Sequence, residues 1–271
     1  MNAIATFIKR HPQTVFWGLA YVLNWGGWIM YMFFPSDMWQ FLIWGIALAG
    51  AFVTVVADGR SGLKEFLSRI VRWRVGIQWY VVALFLPLAV RLAAFGLNLL
   101  TGAQMATSFV FPPWQDFLAA FLFIFLTISL GEEPGFRGFS LPRFMVARTA
   151  VMASLIVGVL HAIWHLPIYV FGGDPPITFL LVIFGSFIFT WLFNNTKGSV
   201  LLAMLFHTSV DVWSPIFNPL FTGADAMRQL YLLIAIYGVV ALVIVLLTGK
   251  EMGRKPAAAL PTAPASEPLP Q

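Results

Sequence analysis

The chain alternates long apolar stretches with short polar segments. About 20 apolar residues are needed to cross a bilayer as a helix. Windows of that kind recur at roughly 14–34, 38–57, 77–98, 115–131, 150–171, 177–194, 198–215 and 228–248. This pattern predicts an all-α, polytopic membrane protein, with about eight transmembrane helices formed by residues 1–252.

The composition supports a bilayer as the surroundings of the chain. Hydrophobic residues make up 60% of the sequence and charged residues only 10%, whereas about a quarter of the residues of a soluble domain are charged. The 16 Lys and Arg residues are scattered singly, so a nucleic-acid partner is not expected. The chain has no cysteine, which excludes disulfides, thiolate catalysis and thiolate metal sites.

The basic residues predict an orientation in the membrane. With the N terminus inside, only Arg91 and Arg228 fall outside the inner segments, each near the outer end of a span. The inner segments hold Lys9, Arg10, Arg60, Lys64, Arg69, Arg72, Arg74, Arg137, Arg143, Arg148, Lys197, Lys250, Arg254 and Lys255. We therefore expect a multi-pass protein of a prokaryotic plasma membrane, with a retained first span and both termini in the cytoplasm.

Two segments outside the spans have their own patterns. Apolar residues recur at helical spacing from Leu63 to Trp73, with basic residues between them, as in an interfacial helix; an ordinary basic loop is the alternative. Residues 253–271 are rich in Pro and Ala and have almost no large apolar side chain. They are predicted to form a disordered cytoplasmic tail.

Six ionisable residues lie at or inside apolar stretches. Most of the other acidic residues of the chain lie in loops, at span ends or in the tail. An ionisable group in the hydrocarbon costs several kcal/mol unless it faces a partner or a water-filled cavity. These residues therefore predict one polar cavity within the membrane. They are Glu132, Glu133, His161, His165, His207 and Asp211.

The first motif contains two adjacent carboxylates, Glu132 and Glu133, followed by Arg137. Adjacent side chains on a helix point about 100° apart, so the two carboxylates have different surroundings. Arg137 lies four residues after Glu133, the spacing of a helical ion pair. Glu132 is then free to act as a general base. The alternative is a structural salt bridge at a helix end near the cytoplasm.

The other two motifs each place polar residues one helical turn apart. His161 and His165 share a helical face, so they can bind one metal ion or line one pocket. Ala162 stands where the zincin helix has its catalytic Glu, so this motif is not a zincin helix and any carboxylate must come from another span. In the third motif, Asp211 can accept a hydrogen bond from His207 and orient its ring. The alternatives are satisfied core histidines and a helix-packing pair without chemistry.

The three motifs, in this order, resemble those of the CAAX-protease and bacteriocin-processing (CPBP) intramembrane endopeptidases, which include the Ras-converting prenyl proteases. The resemblance covers about residues 115–215 and includes Phe136-Arg137-Gly138 and Leu166-Pro167. Two positions depart from the family pattern. His161 stands where the family usually has an aromatic residue, and Asp211 stands where the prenyl proteases have Asn.

The resemblance implies hydrolysis of a peptide bond in a membrane-associated protein, of which a prenylated CAAX-type protein is one candidate. In the favoured mechanism, Glu132 and His165 activate a water without a metal. His207 donates to the oxyanion, and Asp211 orients His207. In the alternative, Glu132, His165 and His207 bind zinc and Glu133 is the base.

Two other classes of function use similar residues. Buried Glu, His and Asp also form ion paths, so a transporter or proton relay is a competing interpretation. A non-enzymatic immunity or assembly factor with the same fold is another. Cleavage of a peptide by the purified protein distinguishes the endopeptidase from both.

The predicted spans place two key residues at different depths. Glu132 lies about 25 Å from the outer end of its span, and His165 lies about 22 Å from the cytoplasmic end of its own. Straight helices with these boundaries do not bring the two together. Either residues 138–150 dip into the bilayer, or the helices tilt around a cavity that opens to the cytoplasm.

Overall fold

The computed structural model describes residues 3–36, 42–106 and 110–254. Within these ranges all regular structure is helical and no residue lies in a strand, so the predicted all-α fold is confirmed. The helices are α1 (Ala3–Arg10), α2 (Pro12–Phe33), α3 (Trp44–Ile70), α4 (Ile77–Leu100), α5 (Trp114–Met145), α6 (Ala150–Trp164), α7 (Leu166–Val170), α8 (Phe179–Asn195), α9 (Val200–Val212), α10 (Ser214–Phe217) and α11 (Gly223–Thr248).

The chain is a multi-pass membrane protein. Six helical segments in the described ranges are long and apolar enough to cross a bilayer: α3, α4, α5, Pro176–Asn195, Val200–Leu220 and α11. Helix α6 is apolar but has only 15 residues, and α2 carries Trp, Tyr, Asn and Gly among its 22 residues. Each of the eight predicted stretches overlaps a helix, which agrees with the predicted count of about eight.

Helix α3 changes direction at Gly59. This residue has φ 69° and ψ −158°, a left-handed backbone that glycine adopts at little cost. The helical turns that follow contain Leu63 and Ile70, so the segment is helical up to Ile70 and is not a loop, while its place at the membrane interface stays a prediction. Of the predicted disordered tail at 253–271, all residues beyond Arg254 lie outside the described residues.

One end of the helix bundle collects the segments that are predicted to be cytoplasmic. The Ser199 hydroxyl donates to the Arg72 carbonyl over 2.6 Å, and the Val151 amide donates to the Lys250 carbonyl over 3.1 Å. Arg143 forms an ion pair with Asp58. These contacts join residues 58–74, 138–151, 195–199 and 249–254, which we call the basic end. That this end faces the cytoplasm remains a prediction.

Helix α5 is longer than the sequence predicts, and its length resolves the difference in depth. Its helical turns continue from Trp114 to Met145, whereas the predicted span ended at 131. The extra turns are poor in aliphatic residues but are buried by protein instead of lipid. At 1.5 Å per helical residue, Glu132 lies about 21 Å from the turn at 146–149 and His165 lies about 24 Å from it. Both side chains therefore reach the same level.

Candidate active site

The two adjacent carboxylates lie between two π-helical segments of α5. These are Phe125–Ser129 and Pro134–Ser140, and π-helical turns within α-helices are frequent at functional sites. Gly135 follows the carboxylates at a close contact with α3, where a Cβ atom would lie 2.9 Å from the Ile46 carbonyl oxygen. A small residue is therefore needed here for α3 to pack against the site.

Glu133, Arg137 and His207 form what we call the closed network. Arg137 Nη1 donates to both carboxylate oxygens of Glu133, over 2.9 and 3.0 Å. This is the ion pair that the spacing of the first motif predicts. His207 Nδ1 lies 2.7 Å from Glu133 Oε1, and the Arg137 guanidinium lies 3.9 Å from the centre of the Phe189 ring. The Glu133 side chain is fully buried, and both of its oxygens are occupied.

Glu132, His161 and His165 form what we call the open cluster. Glu132 Oε2 lies 3.3 Å from His161 Nε2, but the two groups do not have hydrogen-bond geometry. Among the described residues, no hydrogen-bond partner is found for Glu132 Oε2 or for either ring nitrogen of His161. Both side chains are almost completely buried. Buried polar atoms are normally satisfied, so these atoms retain capacity to bind a ligand or a reacting group.

The orientation of His165 is set by the backbone of its own helix. Its Nδ1 lies 3.1 Å from the His161 carbonyl oxygen. Because a carbonyl oxygen can only accept, this contact assigns the proton to Nδ1 and leaves the lone pair of Nε2 free.

Contacts from α2 fix the end of α6, where His165 lies. Pro167 has no N–H group to continue the helix. At the same end, Asn24 Nδ2 and Trp25 Nε1 donate to the Trp164 carbonyl, over 2.8 and 3.2 Å. The sequence analysis missed these donors. The polar Asn24 within an apolar stretch was the signal that could have indicated them.

The third motif lies on α9, which faces α5 across the site. Ser129 and Thr208 are joined by a hydrogen bond of 2.8 Å, which holds the two helices in register. Asp211 Oδ2 lies 3.4 Å from His207 Nε2, and the Asp211 side chain is one-third exposed. The closer carboxylate partner of the His207 ring is therefore Glu133. The sequence analysis assigned the orienting role to Asp211.

A cavity of about 1080 Å³ connects the site with the surface. Glu132, His165, His207 and Asp211 line it together with apolar side chains that include Trp28 and Phe171. Its walls come from residues 24–31 of α2, residues 42–43 just before α3, residues 123–132 of α5, residues 164–174 and residues 207–211 of α9. None of the residues that line the cavity belongs to the basic end. His161 lies behind the cavity wall, against Phe136, with 4.1 Å between the ring centres.

The structure brings the seven predicted site residues into one region, although their catalytic roles remain predictions. The possible metal ligands are grouped differently from the predicted set. One ligand atom each from Glu132, His161 and His165 lies within 4.8 Å of the others. His207, the third ligand of the predicted set, is instead hydrogen-bonded to Glu133.

Two comparisons with known proteins point to the same part of the chain. Residues 113–213 match the family model described as type II CAAX prenyl endopeptidase Rce1-like, and this segment contains all seven site residues. The "CAAX prenyl protease 2" of Methanococcus maripaludis is 22% identical over 210 residues, which cover 72% of this chain and 75% of that protein. With the three motifs, these matches show that this part of the chain is similar to the CPBP/Rce1-like family, and they support a membrane-embedded peptide hydrolase.

Proposed function

We propose that this chain is an intramembrane endopeptidase in which Glu132 and His165 activate the attacking water without a metal. The observation that carries the proposal is the contrast between the two adjacent carboxylates. Glu133 is held by Arg137 and His207, whereas Glu132 Oε2 has no hydrogen-bond partner among the described residues and Glu132 lines the cavity.

In the proposed reaction, Glu132 accepts a proton from water while His165 Nε2 accepts a hydrogen bond from the same water. The water oxygen attacks the scissile carbonyl carbon, and the carbonyl π electrons move to its oxygen. When this tetrahedral intermediate collapses, the C–N bond breaks. The proton held by Glu132 passes to the leaving amine, so the products are a carboxylic acid and an amine.

His207 is proposed to stabilise the oxyanion. Its Nδ1 side is fixed by Glu133, so the ring presents Nε2 towards the cavity and Asp211. With a proton on Nε2, the ring can donate to a developing oxyanion. Such a donor, fixed in advance in a site with little water, accounts for a large share of the rate enhancement of many hydrolases.

The proposed substrate is a membrane-anchored, lipidated protein. The cavity lining combines polar side chains, among them Glu132 and His165, with apolar side chains, among them Trp28 and Phe171. This combination suits a peptide that carries an alkyl or isoprenoid chain. The relative named CAAX prenyl protease makes a prenylated CAAX-type C terminus the first substrate to test.

The test uses the purified full-length protein in liposomes. A peptide that ends in a farnesylated CAAX sequence and the same peptide without the farnesyl group are incubated with it after treatment with a chelator. Mass spectrometry identifies the products. We expect cleavage of the farnesylated peptide that survives chelation. Equal cleavage of both peptides would contradict the lipid-anchored substrate, and loss of activity on chelation would contradict the metal-free mechanism.

The orientation of the cavity can be tested separately. If the basic end is cytoplasmic, the cavity lies in the outer half of the membrane, and the substrate enters from the bilayer or from the outer face. The chain has no cysteine, so single-cysteine variants can be labelled without background. We expect a membrane-impermeant maleimide added to intact cells to label Asp174→Cys and to spare Lys64→Cys. The reverse pattern would place the cavity on the cytoplasmic side.

A further inference from the structure

His161 lies within reach of two residues of the proposed catalytic site, although its ring has no hydrogen-bond partner among the described residues. It stands where the family pattern has an aromatic residue. Its ring packs against Phe136 and lies 5.8 Å from that of Trp164, measured between ring centres. An aromatic residue would fill this space without an unsatisfied nitrogen. The imidazole instead adds two buried polar atoms without hydrogen bonds, which costs free energy of folding. A role in binding would explain why a histidine occupies this position.

The distances in the open cluster fit a zinc ion. In a tetrahedral site with ligand distances of about 2.0–2.2 Å, neighbouring ligand atoms lie about 3.4 Å apart. Glu132 Oε2 and His161 Nε2 lie 3.3 Å apart without hydrogen-bond geometry. The ligand atoms of all three residues lie within 4.8 Å of one another. Small side-chain movements are therefore sufficient to complete the site.

The surroundings of His165 are those of a metal ligand. Histidines that bind metals usually donate their other ring N–H group to a carbonyl or carboxylate oxygen. The contact of His165 Nδ1 with the His161 carbonyl has this form and leaves Nε2 for the metal. Because His165 and Glu132 line the cavity, an ion can reach the cluster from there, and the fourth position stays open to water.

We propose that Glu132, His161 and His165 form a Zn²⁺ site, and that zinc bound there blocks the peptidase. Two imidazoles and one carboxylate bind zinc in preference to Mg²⁺, because Mg²⁺ favours oxygen ligands. The blocking effect rests on the proposed function. Glu132 cannot bind a metal through its free oxygen and accept a proton from water at the same time. Glu133 cannot replace it, because Arg137 and His207 occupy both of its oxygens.

The binding test uses purified full-length protein in detergent, treated with a chelator and then dialysed against Zn²⁺ at a series of concentrations. The variant is His161→Phe, which supplies the aromatic residue of the family. The control is His11→Phe, the same change at an exposed histidine outside the site. Removal of a second-shell partner of a metal already costs 10–100-fold in affinity. We therefore expect His161→Phe to weaken zinc binding by about 100-fold or more.

We expect about one zinc ion per wild-type chain, the same content in His11→Phe, and no saturation by Mg²⁺. Wild-type protein without stoichiometric zinc would overturn the site. Equal zinc affinity in His161→Phe would also overturn it, since the ion would then lie elsewhere. Both readouts measure bound metal and do not depend on the peptidase activity.

A peptidase assay tests the blocking effect. We expect zinc to inhibit the wild type at the concentration at which it binds, and the remaining turnover of His161→Phe to be insensitive to zinc at that concentration. Stimulation by stoichiometric zinc would overturn the blocking effect. If no variant cleaves any peptide but zinc binds as expected, the proposed function fails and the metal site stands.

Discussion

Glu132 and Glu133 are neighbours in the sequence and are equally buried, yet their surroundings are opposite. In the closed network, Glu133 is held by Arg137 and His207 within 3.0 Å. In the open cluster, Glu132 faces two imidazoles without a hydrogen bond to its Oε2. Burial of a charge is tolerated when the charge is paired. Glu133 thus serves the structure, and Glu132 retains the capacity for chemistry.

The strongest test of this comparison is the variant Glu132→Gln. General-base catalysis typically contributes 10²–10⁴-fold, so we expect a loss of turnover of about that size. Thermal stability should be unchanged or higher, because the variant removes a buried charge that has no cationic partner. Peptide cleavage and thermal unfolding in detergent measure the two effects. The matched control is Glu65→Gln at the basic end, where Glu65 forms exposed ion pairs. Full turnover in Glu132→Gln would remove the basis of the proposed function.

A substitution in the closed network should lower the stability of the protein, unlike Glu132→Gln. In Arg137→Ala, the buried Glu133 carboxylate loses its cation, and breaking a buried pair costs about 3–5 kcal/mol. We expect a large drop in the unfolding temperature, together with loss of activity. Arg148→Ala, at an exposed position, is the control and should stay within about 0.5 kcal/mol of the wild type. If Arg137→Ala were as stable as the control, Glu133 would not need its cation.

The sequence was sufficient to predict which residues meet within one helix, because helical spacing is a local property. The pairing of Glu133 with Arg137 follows from their separation of four residues and is found in the structure. The structure also places Glu132 and His165 in one cavity, as the ionisable residues within apolar stretches predict. The contact between His207 and Glu133 could not be predicted, since it joins residues 74 positions apart. Such a contact depends on how α5 and α9 pack.

The extent of α5 could not be predicted from hydropathy. Residues 134–140 contain Pro, Gly, Arg and Ser, which are typical of the end of a span. They remain helical because α2 and α3 cover them. Trp17 Nε1 donates to the Ser140 hydroxyl over 3.1 Å, and Arg69 Nη1 donates to the Gly138 carbonyl over 3.0 Å. Tertiary contacts thus replace the lipid that a hydropathy window assumes.

Gly135→Ala tests whether this packing supports both carboxylates. The added Cβ atom would lie 2.4 Å from Ile46 Cγ2 and 2.9 Å from the Ile46 carbonyl oxygen, and the carbonyl cannot move without shifting α3. Overpacking of a buried site costs about 1–3 kcal/mol, so we expect a lower unfolding temperature and reduced turnover.

The control for this variant is Gly96→Ala, also within a helix. A Cβ atom at Gly96 meets no atom within 4 Å, and alanine is favoured over glycine in helices by about 1 kcal/mol. We expect this control to be at least as stable as the wild type. A Gly135→Ala protein of wild-type stability would show that α3 can move away from the site without cost.

The smallest effect is expected at Asp211, where the closed network and the cavity meet. Glu133 already fixes the His207 ring through Nδ1, and Asp211 lies 3.4 Å from Nε2 with a partly exposed side chain. We therefore treat Asp211 as a positioning residue whose charge is dispensable. Asp211→Asn, which supplies the residue of the prenyl proteases, should keep turnover within about 10-fold of the wild type, since only one hydrogen bond is altered. Asp211→Ala should lose more, because no polar group then faces Nε2.

Comparison of kcat for the two variants separates these outcomes. Equal losses of kcat would mean that the carboxylate of Asp211 itself is required. No loss in either variant would show that Glu133 alone orients His207.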